Sequence, residues 1–332
     1  MKAVVLNSFG AAGKVFETIE LPVPEINDEE VLIKVKATSV NPIDYKIRSG
    51  HLPHLVPAFP AILHGDVSGI VEKTGANVTA FQAGDYVYGC IGGVAGIDGA
   101  LAEYTKADYR LLSKMPGNLN FAAAAAIPLA GITAYEAIFQ RANLQPGQKV
   151  LVYGGVGGVG HLAVQFAKIS GAQVYATISN EQQAAIAREL GADYTIDYKK
   201  ETVTYFIDKH TGGNGFDVVF DTIGNQHLTN SFEAVKRKGT IVTTVSLDTI
   251  DLSPIHEKAL AFHTVYMILP VLYNDAAGKQ EHGQILKHIT ELVEQGKVKP
   301  LIDDRQFTLE QIAEAHHAAE EFRNTGKIVV SI

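Results

Sequence analysis

The chain has 332 residues, 46% of them hydrophobic and 19% charged, with one cysteine and no tryptophan; that length suggests two domains with cores large enough to stand without staples. The lone Cys90 excludes an internal disulfide framework and any zinc site built on paired thiolates, and it suits a reducing, cytoplasmic compartment. A net charge of −8, from 28 Lys and Arg against 36 Asp and Glu, speaks against a nucleic-acid surface or an anionic-membrane surface.

The first segment turns polar at Asn7, too early for the apolar core of a signal peptide, and reads instead as a strand over 2–6. Further β-branched patterns cover 16–21 and 31–40, broken by Pro22, Pro24 and a polar turn at 27–30. Short strands are expected at 69–73, 86–89 and 102–105 between glycine-rich turns, which predicts a compact, barrel-like β domain. Helical spacing takes over through 121–142; its apolar part, 121–134, contains Pro128 and Gly131 and is short for a membrane span. Pro146-Gly147 then introduces the apolar run 149–153 of a buried parallel strand. From there strands at 173–178, 194–196, 218–221 and 240–245 alternate with helices at 159–170, 180–190, 202–211 and 228–235. Such alternation predicts α/β architecture with a doubly wound parallel sheet. A helix at 284–295, a strand at 301–307, a helix at 309–322 opened by a Thr308–Gln311 capping box, and a strand at 327–331 complete the chain. The last strand lies so far beyond the βα repeat that it is expected to rejoin the N-terminal domain.

Chemistry is densest at Gly154-Gly155-Val156-Gly157-Gly158-Val159-Gly160, where Gly155, Gly157 and Gly160 match G-x-G-x-x-G between a strand and a helix. One glycine makes the tight turn, one admits the pyrophosphate to the backbone, and one lets helix and strand pack closely. The helix N-terminus would then offer free N–H groups to the phosphates. An NAD site usually carries Asp or Glu at the tip of the second strand, about 20 residues on. Here that strand ends Thr177-Ile178-Ser179-Asn180, and Glu181 falls inside the next helix. NADPH is therefore preferred, with NADH possible; Ser179 can bond a 2′-phosphate, or simply cap the helix in a box with Gln182.

The sequence resembles the medium-chain dehydrogenase/reductase superfamily, in its zinc-free quinone oxidoreductase and enone reductase branch. The likeness runs through Val40-Asn41-Pro42-Ile43-Asp44, Gly65-Asp66-Val67-Ser68-Gly69, Ala83-Gly84-Asp85-Tyr86-Val87, Ile127-Pro128-Leu129-Ala130-Gly131, the glycine loop and Phe220-Asp221-Thr222-Ile223-Gly224. It implies a discontinuous GroES-like catalytic domain (1–124 and 268–332), a Rossmann domain (125–267), an active site between them, a homodimer, and a quinone or enone as small-molecule substrate. Zinc members place a cysteine where Asn41 stands and a histidine where Gly65 stands, so no zinc is expected. Without a Lewis acid the chemistry narrows to acceptors whose charge spreads onto a conjugated oxygen. The resemblance offers Asn41 as donor to the substrate carbonyl, Lys46 to the cofactor ribose or the enolate, Tyr45 as a further proton donor, and Thr133 to the nicotinamide carboxamide. Ser179, Tyr198 and Arg323 are implied at the 2′-phosphate, and Gly224 and Ser246 at the later strand ends. His51, His54, His316 and His317 read as surface or rim residues. Two other readings stay open: an alcohol dehydrogenase holding zinc through His64, Asp66 and Cys90, and a non-catalytic NADPH-binding protein with a redox-sensing or structural role.

Overall fold

The computed structural model describes every residue except 246–248 and 322–323, so the expectations at Ser246 and Arg323 lie outside the described residues. Two compact units emerge: Met1–Ile132 with Ile268–Ile332, and Thr133–Met267.

In the first unit β1 (Lys2–Leu6) and β2 (Phe16–Glu20) form an antiparallel ribbon. Then come β3 (Glu30–Ser39), β4 (Asp66–Thr74), β5 (Tyr86–Cys90), β6 (Tyr104–Asp108) and β7 (Leu112–Lys114). β3 is the hub, pairing antiparallel with both β4 and β6. Val31, Ile33 and Val35 alternate into a core shared with Val67, Val71 and Val87, as the two-residue period of a strand requires. Toward its C-terminal end β3 buries Thr38 and Ser39 instead, and a polar centre begins there.

The second unit is one parallel sheet of β8 (Lys149–Val152), β9 (Gln173–Ile178), β10 (Tyr194–Asp197), β11 (Phe216–Asp221), β12 (Val235–Thr243) and β13 (Ala261–Thr264). Its spatial order is β10-β9-β8-β11-β12-β13. The order reverses between β8 and β11, and ligands of such sheets bind beyond the carboxyl ends of the strands at that switch point. The chain then returns to the first unit with β14 (Phe307–Thr308) and β15 (Val329–Ser331), and β15 pairs antiparallel with β3.

Several local expectations change. The helix expected over 121–142 is three pieces: Phe121–Ala125, Pro128–Tyr135, and a π-helical Glu136–Arg141. Pro128 cannot donate to the preceding turn, so the first piece stops short of it. The strand expected at 102–105 forms at Tyr104–Asp108, while Ala102 makes only a bridge to Ala3. At 301–307 the pairing shrinks to a bridge between Ile302 and Lys327 and the two residues of β14. The helix expected at 284–295 begins earlier, as Ala276–Glu294, because the Asp275 side chain caps it by accepting from the Ala277 N–H. A helix not anticipated, Pro42–Ser49, starts with a capping box between Asn41 and Asp44 and with proline in its first turn. No helix among the described residues is long and apolar enough to cross a membrane.

Candidate active site

In the Rossmann unit the chain leaves β8 through Gly154, at φ 68°. A Cβ on Gly155 would lie 2.5 Å from the Ala176 Cβ of β9, and one on Gly160 only 2.1 Å from the Gly154 carbonyl oxygen. Only glycine permits either approach. Thr177 pins the turn from β9: its Oγ1 accepts from Gly154 N–H at 2.9 Å and its carbonyl from Gly155 N–H at 3.1 Å. The N–H groups of Gly158 and Val159 find no acceptor among the described residues, and they precede the helix Gly160–Ile169. This bare, donor-rich cradle at a helix N-terminus fits the pyrophosphate of a nicotinamide dinucleotide.

Other expected contacts in this unit have definite places. The helix Glu181–Glu189 is capped by Asn180, whose side chain accepts from Gln183 N–H at 2.9 Å. That replaces the Ser179–Gln182 box, because Ser179 Oγ donates to Gln183 Oε1 at 2.9 Å instead. Glu181 pairs with Arg188 at 3.2 Å. Tyr198 is half exposed, with its ring edge-on to His227. Thr133 is buried on the helix Pro128–Tyr135. At the end of β11, Asp221 accepts from the N–H groups of Ile223 and Gly224, both at 3.0 Å. Gly224 sits there at φ 80°, where a Cβ would strike Val245.

The first unit holds a buried polar centre where β3, β4, β15 and the helix Pro42–Ser49 converge. Asp66, fully buried, is its hub: Oδ2 accepts from Ser39 Oγ at 2.6 Å and Asn41 Nδ2 at 2.8 Å, and Oδ1 accepts from Leu129 N–H at 2.8 Å. The Lys327 ammonium, also buried, lies 3.6 Å from Asp66 Oδ2 and donates to the carbonyl of Val40 at 3.1 Å and to Asn41 Oδ1. Asn41 N–H donates to Asp44 Oδ2 at 2.7 Å. Burial pushes the Asp44 carboxyl up to about 7, with Asp66 adding to the rise. Lys46 is half-buried on the same helix, and Tyr45 is buried, its phenol raised above the usual range by desolvation.

Chain elements far apart in sequence also bring two histidines together. His64 Nε2 lies 2.9 Å from His316 Nε2, and the rings stack with centroids 5.1 Å apart. His316 is fully buried, correcting its reading as a surface residue, whereas His317, His51 and His54 are exposed. Thr38 donates its hydroxyl to the Asp66 carbonyl at 2.6 Å, so toward His64 Nδ1, at 3.3 Å, it can only accept. His64 therefore carries its proton on Nδ1 and accepts on Nε2 from His316 Nε2–H. Burial, reinforced by the Lys327 charge, lowers His64 to about 3, and burial with His64 and Arg48 alongside lowers His316 far below its ordinary value.

These shifts set an acid limb of stability. An unfolded histidine takes up a proton near pH 6.5, which the native pair refuses until far lower pH, so both destabilise the fold as pH falls below about 6.5, by up to about 1.4 kcal/mol per pH unit each. Asp44 works the other way, gaining a proton below about 7 in the native state. Urea midpoints should therefore fall from pH 6.5 to 5, and the double variant His64→Leu/His316→Leu should lose or reverse that slope.

A model of the alcohol dehydrogenase GroES-like domain matches residues 27–117, and one described as zinc-binding dehydrogenase matches 190–330. The 2-methylene-furan-3-one reductase of Solanum lycopersicum is 35% identical over 337 residues, covering 99% of this chain and 79% of that protein. The chain belongs to the medium-chain dehydrogenase/reductase superfamily, in its quinone oxidoreductase and enone reductase branch. The chloroplastic NADPH-dependent alkenal/one oxidoreductase of Arabidopsis thaliana is 34% identical, with 99% of this chain and 79% of that one covered. The Homo sapiens quinone oxidoreductase is 32% identical, with 95% and 93% covered. A crystal structure of an alcohol dehydrogenase superfamily protein from Novosphingobium aromaticivorans matches at TM-score 0.94 and 36% identity, covering 100% of both chains.

The zinc in one family description does not fit the residues present here. Asn41 offers an amide oxygen already bonded to an ammonium, and Gly65 offers no side chain at all. His64 Nε2 is turned to His316, and burial holds the Cys90 thiol protonated. A divalent ion at Asp66 would also face the buried Lys327 charge.

Proposed function

We propose that this medium-chain reductase uses NADPH in preference to NADH to reduce quinones and α,β-unsaturated carbonyls without a metal. The single observation that carries the reading is the Asn41–Asp66–Lys327 centre, a fixed hydrogen-bond donor in a site that a zinc ion does not fit. The dinucleotide would be held by Gly155, Gly157, Gly158, Val159 and Gly160, with Thr133 and Gly224 further along it and Ser179 and Tyr198 toward the 2′-phosphate. NADPH supplies a hydride; with one proton from the medium, the acceptor's conjugated double bond becomes saturated, or the quinone becomes a hydroquinone. Asn41 Nδ2 gives one N–H to Asp66 and keeps a second. We assign that second N–H to the acceptor oxygen, where the charge collects. Lys46 would stand at the cofactor ribose or the nascent enolate, and Tyr45 as a further proton donor.

Cofactor preference draws support from Glu181. Glu181 pairs with Arg188, and Asp197, beside Ile178 on β10, pairs with Lys200, so each of these two carboxylates near the end of β9 is matched by a cation. The single cysteine of the chain suits a reducing, cytoplasmic location, and a homodimer is the assembly that the family resemblance implies. The test is turnover: purified protein should oxidise NADPH in the presence of quinones or enones, and NADH more slowly. A protein that binds NADPH yet reduces none of a broad panel of acceptors would be a nucleotide-binding protein and not a reductase.

A further inference from the structure

We propose that Lys327 is a positioning residue for hydride transfer: a tethered, buried cation that fixes the Asn41 carboxamide and so aims the N–H offered to the acceptor oxygen. This rests on the reading of Asn41 just given. The chemistry of its neighbours makes the amide orientation compulsory. An ammonium has donors only, so the amide end facing Lys327 must be Oδ1; an ionised carboxylate has acceptors only, so the end facing Asp66 must be Nδ2. Between a fixed donor and a fixed acceptor the side chain cannot flip. The cation on Oδ1 also draws electron density from the amide, which strengthens Nδ2–H as a donor.

Position agrees with this role. Lys327 lies just before β15, the strand that closes onto β3 at Val330↔Thr38 and Ser331↔Ala37, so the cation arrives from the far end of the chain beside Val40 and Asn41. Burial lowers the Lys327 amine below its ordinary value, and Asp66 and Asp44 offset part of that desolvation. A purely structural lysine would serve only to neutralise Asp66, and a hydrophobic side chain often replaces a member of such a pair once its partner is removed too. The two roles separate in kinetics. A stabilising group lost from the fold lowers the amount of active protein, whereas an aiming group lowers kcat in protein that still binds cofactor.

The experiment compares Lys327→Met, Lys327→Ala and Asn41→Ala with the native chain. Losing an aimed donor at a developing oxyanion should lower kcat by about 100-fold, with NADPH affinity, read by fluorescence titration, within about threefold of native. Ethylammonium added to Lys327→Ala should restore at least about tenfold of the lost rate, since it returns a cation to the vacated space. Independently of turnover, the Asn41 side-chain N–H pair, seen by NMR in asparagine-labelled protein and identified by its loss in Asn41→Ala, should lose its protection from exchange in Lys327→Met. A folded Lys327→Met with near-native kcat and an unchanged Asn41 signal overturns the proposal. So does ethylammonium that restores folding of Lys327→Ala but not rate. If Asn41→Ala turns over normally, the reading of Asn41 fails first and the role of Lys327 falls with it; if only Asn41→Ala is impaired, the Lys327 proposal alone fails.

Discussion

Asp66→Ala lowers the unfolding free energy by about 3–5 kcal/mol, and the double variant Asp66→Ala/Lys327→Met loses clearly less than the two single variants summed. The asymmetry follows from burial. Asp66 and Lys327 are both sealed from water, so removing the carboxylate strands an ammonium in a medium that solvates it poorly, along with the donors of Ser39, Asn41 and Leu129. Removing both charges leaves fewer orphans. Urea denaturation of the four proteins of this cycle gives the coupling directly, and strict additivity would mean that the pair, 3.6 Å apart, does not interact in solution. Asp66→Asn is the milder companion: it keeps an oxygen for Ser39 or Asn41 and should fall between the native protein and Asp66→Ala.

Gly160→Ala abolishes useful cofactor binding, weakening NADPH affinity by at least about 100-fold, or about 2.7 kcal/mol. The new methyl group would have to occupy a point 2.1 Å from the Gly154 carbonyl oxygen, so the turn opens and its N–H groups no longer converge. Gly157→Ala separates packing from binding. Its Cβ meets only the Gly154 oxygen, at 3.2 Å, a contact that small shifts relieve. Thermal stability should stay close to native while NADPH affinity still falls, because the pyrophosphate needs the backbone bare at that position. Equal affinity in Gly157→Ala and the native chain would place the phosphates elsewhere.

How much of this was legible before folding varies by element. Five of the six strands of the Rossmann sheet announced themselves, because buried parallel strands are short apolar runs between glycine turns, and Gln173–Ile178 runs over the residues expected; β13 was not anticipated, since none of its four residues is fully buried and no apolar run marks it. The helix Pro42–Ser49 was missed although Asn41, Pro42 and Asp44 spell its start; its buried face sets Asp44 and Arg48 beside Tyr45 and Ile47, so no apolar stripe marks it in the sequence. Ser179 was given a cap that Asn180 holds, since two adjacent polar residues offer the same chemistry and only the backbone course chooses between them.

The amino-acid order by itself determined the glycine turn, the βα alternation and the absence of zinc-type ligands at Asn41 and Gly65, because each depends on neighbours within one turn or one strand. Tertiary structure alone decided what surrounds Asn41. Its partner Asp66 is 25 residues away and Lys327 is 286 away, and His64 meets His316 across 252. Charged and titratable residues of this kind read as surface in any local window, since burying one is unfavourable unless a distant segment supplies its counterpart. Here β15 carries Lys327 back to the end of β3, and the long return of the chain turns an ordinary surface-type lysine into the cation of the site.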